Sequence, residues 1–382
     1  MKITCNRHNL LAACQLASAA VSPRDVKPVL RNIKAVAGND GCTLTATDLE
    51  LGVRLNVPDV QIEEPGEALL PANKVIAILR EAGDEELTIE ADPGGCTIRG
   101  QSLEFEMPGE DPSLFPDIPA FTDESHHDIR AGSLRELIRR TTFAAASAEH
   151  ARFGATLGVL WEREDGQIAL IATDGRRLAR AEGPAQAHGE PSKKAQMPIV
   201  PVKALSLLDR LLGHPDEIVR VSLRPNEVLF KTEQAVIYSR LVEGRFPNYR
   251  QVVPQKHPTK IPLSVGPFLL AIRQAAVMTD DDSKRVTCHF AKKTLTLQAR
   301  GADSGSARVE LPLDYEGKPI EISFDPRFLL DMLRVMPPET NVTLELKDAN
   351  TPAILRSGAD YLYVVVPLVP TSQEAQPCRA SA

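Results

Sequence analysis

Two Thr-Asp pairs are the first candidates for chemistry, because a carboxylate fixed at a strand end is a possible acid or base. One is Thr47-Asp48, in Ala46-Thr47-Asp48-Leu49-Glu50-Leu51. The other is Thr173-Asp174, in Ala172-Thr173-Asp174-Gly175-Arg176-Arg177-Leu178-Ala179. Both follow a strand-like run (Cys42-Thr43-Leu44-Thr45 and Ile168-Ala169-Leu170-Ile171), and both precede another alternating run. A pair that recurs at the same place in two repeats reads as a turn, in which Asp accepts nearby backbone N–H groups. A weaker third copy of the strand reads Leu295-Thr296-Leu297-Gln298-Ala299-Arg300.

The other reactive side chains form no familiar pattern. The eight histidines contain no H-E-x-x-H and no spaced ligand set, and His126-His127 is expected to be solvated at a domain junction. The six cysteines (Cys5, Cys14, Cys42, Cys96, Cys288, Cys378) are scattered without a C-x-x-C pair. They read as small buried hydrophobes in a reducing compartment. Neither phosphate-loop pattern is present, and Gly301-Ala302-Asp303-Ser304-Gly305-Ser306 lies between strands, as a hairpin loop does. The expectation is a protein without catalytic residues, metal or cofactor.

The elements that position these residues repeat three times. Each repeat opens with a short strand and a helical pattern: Leu10, Leu11, Cys14, Ala17 and Val21; then Leu134, Leu137, Ile138, Thr141 and Thr142, with Ser133 as the expected N-cap; then Phe268, Leu269, Ile272, Ala275 and Ala276. Alternating strands joined by turns follow, such as Gly38-Asn39-Asp40-Gly41 and Glu164-Asp165-Gly166. A second helix then opens at Pro71, Pro201 or Pro326, where a missing N–H costs nothing. The reading is an α+β protein of three repeated units, 1–122, 123–252 and 253–370, each of two helix-plus-antiparallel-sheet halves. Residues 371–382 read as a polar, disordered tail.

Composition is that of a soluble protein, 43% hydrophobic and 25% charged. No run approaches a membrane span and the N-terminus starts directly in strand-like sequence, so a cytoplasmic location is expected. Net charge is −7, which by itself disfavours nucleic acid. The charge is unevenly spread, however. The helical stretches 7–21, 72–82, 133–146, 201–212, 267–279 and 326–336 hold eleven Lys or Arg against four Asp or Glu, a surplus of seven, which leaves −14 elsewhere. Helices sharing one basic surface would meet phosphate without reading bases, while an acidic exterior repels stray nucleic acid. From helix placement, Arg80, Arg135, Arg139, Arg210, Arg273 and Arg334 are the candidate DNA contacts. A repeat scaffold unrelated to DNA is the alternative that also explains the threefold pattern.

The block Ser239-Arg240-Leu241-Val242-Glu243-Gly244-Arg245-Phe246-Pro247-Asn248-Tyr249, the two Thr-Asp runs and Tyr363-Val364-Val365-Val366-Pro367-Leu368 together resemble the bacterial DNA polymerase III beta subunit family. The resemblance runs from Met1 to about Pro370. It implies a head-to-tail homodimer closing a ring round duplex DNA, without sequence specificity, with helices inside and sheets outside. The implied partners are the replicative polymerase, the clamp loader and repair or translesion polymerases, all held through short peptides.

By motif match, Arg24 and Lys203 are implied DNA contacts. Thr173, Gly175, Arg176, Leu178, Pro247 and Val252 would line a peptide cleft with Arg152, opposite a wall of Val366, Pro367 and Leu368. Val277 and Met278 would lie at the dimer interface. The chain departs from the family where Arg176 replaces a frequent His and where Val366-Pro367-Leu368-Val369-Pro370 replaces Met-Pro-Met-Arg-Leu. One extra residue near Arg152 leaves open whether Thr156 or Leu157 faces the cleft.

Overall fold

The helices among the described residues of the computed structural model are α1 (Arg7–Ala17), α2 (Ala72–Glu81), α3 (Ala131–Thr141), α4 (Val202–Leu211), α5 (Val265–Ala276) and α6 (Pro326–Arg334). The described residues are 1–22, 26–92, 94–122, 124–149, 153–164, 166–189, 197–254, 257–280, 284–301 and 305–369. Asn6 caps α1 by accepting from the His8 and Asn9 amides, and Asp325 caps α6 by accepting from Arg327. Pro71 and Pro201 stand at the N-caps of α2 and α4, and Pro326 is the first residue of α6.

Ser133 is not the cap of α3, which begins two residues earlier. The reason is tertiary. The first amide of each repeat's opening helix donates to the loop before a strand of the same repeat's second half: Arg7 to Glu85 O at 2.8 Å, Ala131 to Glu217 O at 2.8 Å and Val265 to Thr340 O at 2.9 Å. Those carbonyls satisfy donors that a side-chain cap would otherwise take. Gly132 follows the same logic. Its amide donates to Pro215 O, and a Cβ there would lie 3.1 Å from the Pro215 Cβ.

Two compact units result, one of residues 1–135 and 184–242, the other of 136–183 and 243–382. The first holds two antiparallel sheets. One runs in the order Val60–Glu64, Lys2–Asn6, Glu86–Asp92, Gly95–Arg99, Glu104–Pro108. The other runs Gln186–His188, His126–Arg130, Ile218–Leu223, Glu227–Lys231, Ala235–Arg240, Leu51–Val57, Gly41–Thr47, Asn32–Gly38, Gly66–Pro71. The second unit has a sheet in the order Gly158–Glu164, Gln167–Thr173, Arg177–Pro184, Tyr361–Val365, Ala353–Ser357, Asn341–Leu346, Thr259–Ser264. Its other sheet runs Gly305–Pro312, Thr294–Gly301, Val286–Ala291, Ile320–Phe324. The three look-alike strands of the sequence are Gly41–Thr47, Gln167–Thr173 and Thr294–Gly301. Gly301 pairs with Gly305, and residues 302–304 of the glycine-containing run lie outside the described residues.

Repeats join by continuing a sheet. Ala235–Arg240 of the second repeat pairs antiparallel with Leu51–Val57 of the first, with Ala235 opposite Leu55. Tyr361–Val365 of the third repeat pairs antiparallel with Arg177–Pro184 of the second, with Arg177 opposite Val365. Equivalent strands therefore make both joins. Such a join leaves no exposed strand edge between repeats.

The cores are aliphatic, and the cysteines belong to them. Cys5, Cys14, Cys42, Cys96 and Cys288 are buried free thiols, while Cys378 lies outside the described residues. Burial pushes the Cys42 and Cys96 thiols up to about 11. Burial, with Cys42 adding to it at Cys5, pushes Cys5 and Cys288 up to about 12. The reactive form is the thiolate, so these groups should resist a disulfide reagent at pH 8 in the native protein and react quickly in denaturant. The sign for stability follows from raised values. The contribution is complete below the ordinary thiol value of 9.0 and is lost as pH rises toward 11–12.

Candidate functional site

Both Thr-Asp pairs build the same turn. Asp48 Oδ1 accepts from the Glu50 and Leu51 amides at 3.0 and 2.7 Å. Asp174 Oδ1 accepts from the Arg176 and Arg177 amides at 2.9 and 3.0 Å. Each Thr hydroxyl closes its loop by donating to the carbonyl four residues on, Leu51 O or Arg177 O. Gly175 holds φ +86°, and its counterpart Leu49 holds φ 73°, the left-handed region in which glycine is the less strained residue.

The second turn is the end of a surface. Antiparallel register puts Leu160 opposite Ile171 and Arg177 opposite Val365, so Gly158, Thr173, Arg177 and Val365 lie at one end of a single sheet. The 3-10 turn Gly154–Leu157 enters that sheet end. The Gly-Arg-Phe-Pro block is tied to the same sheet by the Tyr249 hydroxyl, which donates to Glu162 at 2.7 Å. Burial and the Glu162 contact push that phenol above its ordinary value, which keeps its proton in place. Ala155 Cβ lies 3.7 Å from where Gly244 would carry a Cβ, so the turn and the block are neighbours.

Thr173 and Leu178 are buried in this floor, Gly175 and Arg176 are exposed, and Pro247 is partly covered. Val252 is 53% exposed and Val366 37% exposed, so both offer apolar surface to a ligand. Pro367 is buried and Leu368 half-buried. The expected two-wall arrangement needs correction. The Val366 amide donates to Arg176 O at 2.9 Å, so 366–368 continue the strand beside the turn and share its floor instead of facing it. Leu368 N then donates to Ser323 O at 2.8 Å, carrying the chain to the second sheet of this unit. Thr156 is buried, with its hydroxyl on Phe153 O, and Leu157 is the partly exposed residue of the pair. Arg152 and Arg24 lie outside the described residues.

Sequence reasoning missed the residue that organises this floor. Arg177 is only 11% exposed. Its guanidinium reaches Asp174 at 3.0 Å, Asp331 of α6 at 2.6 Å and Phe143 O at 2.7 Å. It also stacks on the Phe143 and Phe328 rings, at 5.5 and 4.8 Å to their centroids. The only signal for it in the sequence was its place between two cleft residues.

The basic helix residues fall into two groups. Arg80, Arg210 and Arg273 are exposed and have no ion-pair partner among the described residues. Arg139 is exposed, and Arg334 lies 3.7 Å from Asp331 with most of its side chain in solvent. Lys203 is exposed and held by Asp48 at 2.6 Å. Arg135 does not belong with them. Its guanidinium donates to Leu212 O and Gly213 O, the open carbonyls at the end of α4, and its Nε lies 3.6 Å from Asp209. A cation satisfies those orphan carbonyls and meets the negative helix terminus. On the expected interface, Val277 is 71% exposed just past α5 and Met278 is partly exposed. Leu270, two turns earlier on the same face, is also exposed. His126 is not solvated as expected. It is buried in a strand.

The family models described as DNA polymerase III beta subunit match here in order: the N-terminal domain over residues 1–119, the central domain over 128–248 and the C-terminal domain over 250–368. The beta sliding clamp of Pseudomonas putida KT2440 is 30% identical over 374 residues, covering 96% of this chain and all of the relative. That of Bacillus subtilis is 28% identical, covering 94% of this chain and 97% of the relative. The crystal structure of the Bacillus subtilis DNA polymerase sliding clamp superposes with a TM-score of 0.89 at 26% identity, covering 97% of this chain and 100% of that one. A Pseudomonas aeruginosa sliding clamp bound to griselimycin gives 0.87 at 29% identity, covering 97% and 100%.

Proposed function

The chain belongs to the DNA polymerase III beta subunit family, the DNA sliding clamps, and we propose that two copies close head to tail into a ring around duplex DNA. The observation that carries this reading is the repeated strand join. The third strand of one repeat's first half pairs with the third strand of the next repeat's second half, and this happens twice within the chain. The strands left over by that rule are Gly305–Pro312 and Glu104–Pro108. Each is the last strand of its sheet, and Phe105 is exposed on the latter. A third and fourth join of the same kind, made between two copies, cover both of these left-over edges and close the symmetry. α5 packs against Gly305–Pro312, so Leu270, Val277 and Met278 would flank that join.

The three repeats, 1–122, 123–252 and 253–370, then act as domains, six to a ring. No bond need be made or broken. The Thr-Asp carboxylates are spent on turn amides, and retention on DNA comes from topology. Arg80, Arg210, Arg273, Arg139, Arg334, Lys203 and Arg24 supply phosphate contacts without base reading. The floor around Val252, Val366 and Arg176 takes short partner peptides and griselimycin. Polymerase, clamp loader and repair polymerases held there stay near the primer end at high effective concentration.

One experiment tests the ring. Light scattering across a dilution series should give twice the 41.6 kDa chain mass. The Arg80→Glu, Arg210→Glu, Arg273→Glu triple variant should keep that mass yet load on nicked circular DNA at least tenfold less efficiently. Its log–log salt dependence of DNA binding should flatten by about 0.9 for each phosphate it no longer neutralises. A monomer at every concentration would sink the ring and favour a three-repeat scaffold.

A further inference from the structure

The histidines show no ligand spacing in the sequence, yet the fold gathers two of them around a carboxylate. His126 and His188 stand directly opposite one another on antiparallel strands. Their rings stack at 4.9 Å with 16° between planes. Asp128 is two residues along the first strand, on the same face by strand alternation. His126 Nε2 lies 3.3 Å from Asp128 Oδ1, and His188 Nε2 lies 3.1 Å from Oδ2. One ligand atom from each of the three residues lies within 4.8 Å of the other two.

These contacts are close without being satisfied. His188 Nε2 and Asp128 Oδ1 are buried and have no hydrogen-bond partner of acceptable geometry among the described residues. His126 is 8% exposed, and its Nδ1 is likewise without one. Buried polar atoms in that condition cost free energy unless something else occupies their lone pairs. One ligand atom from each residue already lies within 4.8 Å of the other two, so a rotation of the stacked rings about their side-chain torsions would bring all three donors onto one ion.

We propose that His126, Asp128 and His188 bind one divalent late transition metal ion, zinc being the best fit. Two imidazoles and one carboxylate favour zinc or its neighbours over calcium or magnesium, which seek oxygen ligands. With zinc–ligand bonds of about 2.0–2.1 Å, tetrahedral neighbours stand about 3.3 Å apart, the separation already held between His126 Nε2 and Asp128 Oδ1, while His188 Nε2 approaches the other carboxylate oxygen, Oδ2. Water completes the coordination.

The groups around the site bear on its strength. Arg220 Nε lies 4.0 Å from Asp128 Oδ1, competes for the carboxylate and must swing away, which its 41% exposed side chain can do. Phe121 packs edge-on against His126 at 6.1 Å and shields one side. The ion would staple Gln186–His188, a three-residue strand at the sheet edge, to its neighbour. Imidazole ligates only when neutral, so affinity falls with falling pH.

The test uses untagged full-length protein stripped with chelator. Titration with zinc chloride at pH 7.5, against a chromophoric chelator, should show one tight equivalent per chain with a Kd of about 1 µM or below. Saturating zinc should raise the melting temperature. His188→Gln and Asp128→Asn should each weaken that equivalent at least thirtyfold. Because a variant could perturb the edge strand, cobalt(II) bound to the wild-type protein gives an independent reading. X-ray absorption should report two nitrogen-rich imidazole ligands. The proposal is overturned by absence of a tight equivalent, by its survival in His126→Gln/His188→Gln, or by a cobalt environment without imidazole.

Discussion

Arg177→Ala lowers the stability of the unit that carries the cleft by about 3–5 kcal/mol, the cost of removing one partner from a buried ion pair. The side chain serves two carboxylates and one carbonyl at once and fills the space between two phenyl rings. Its removal leaves the Phe143 carbonyl without that donor, and among the described residues Asp331 keeps only the looser Arg334 contact at 3.7 Å. Asp174 retains its two turn amides, which holds the effect to the lower part of the range. For a unit of this size the unfolding midpoint should fall by roughly 6–12 °C. Arg177→Lys restores a charge but not the planar fork that meets several acceptors, so it should recover less than half of the deficit. Calorimetry on both variants decides the matter. A drop under 2 °C for the alanine variant would mean that the network has no net value. The expected consequence reaches function, because the same side chain links the Thr-Asp turn of the second repeat to α6 of the third.

How much of this was legible in the sequence depends on the range of the forces involved. The helices and strands were readable because 3.6- and 2-residue periodicity is local, and a proline opening the second helix of all three repeats marked one unit reused. The turn role of Asp48 and Asp174 was readable because an Asx turn is completed within three residues. Long-range closure was not. Ser133 looked like a cap because the Glu217 carbonyl that receives the first amide of α3 lies more than eighty residues away in the chain. Arg135 looked like a phosphate ligand because nothing local reveals that the end of α4 lies under it. His126 and His188 are about sixty residues apart, and only the pairing of an edge strand with its inner neighbour brings them together. The two runs of the cleft were assigned to opposite walls for the same reason: hydrogen bonding between Val366 and Arg176 is a fact of sheet order, which motif matching does not contain.

On the proposed function, Val252→Asp/Val366→Asp should abolish binding of griselimycin and of partner peptides while leaving mass and melting temperature unchanged. The two valines are the exposed apolar groups of the floor, and a ligand that covers each side chain gains about 1.5–3 kcal/mol from the area removed from water. Removing both valines, and burying carboxylates in their place, amounts to at least a hundredfold in Kd at about 1.4 kcal/mol per tenfold. Neither valine is packed in the core, so folding is little affected; Leu178, buried one residue beyond Arg177 in the same floor, would not allow that separation. Arg176 provides the contrasting measurement. Its guanidinium has no ion-pair partner among the described residues, so Arg176→Glu should weaken acidic peptides selectively and lose that effect at high salt, whereas the valine changes should weaken uncharged ligands as well and keep doing so at high salt. Fluorescence anisotropy at two salt concentrations separates the two cases. Griselimycin affinity within threefold of wild type in the double valine variant would show that the ligand sits elsewhere, and the turn at Thr173–Arg176 would then be only a structural corner.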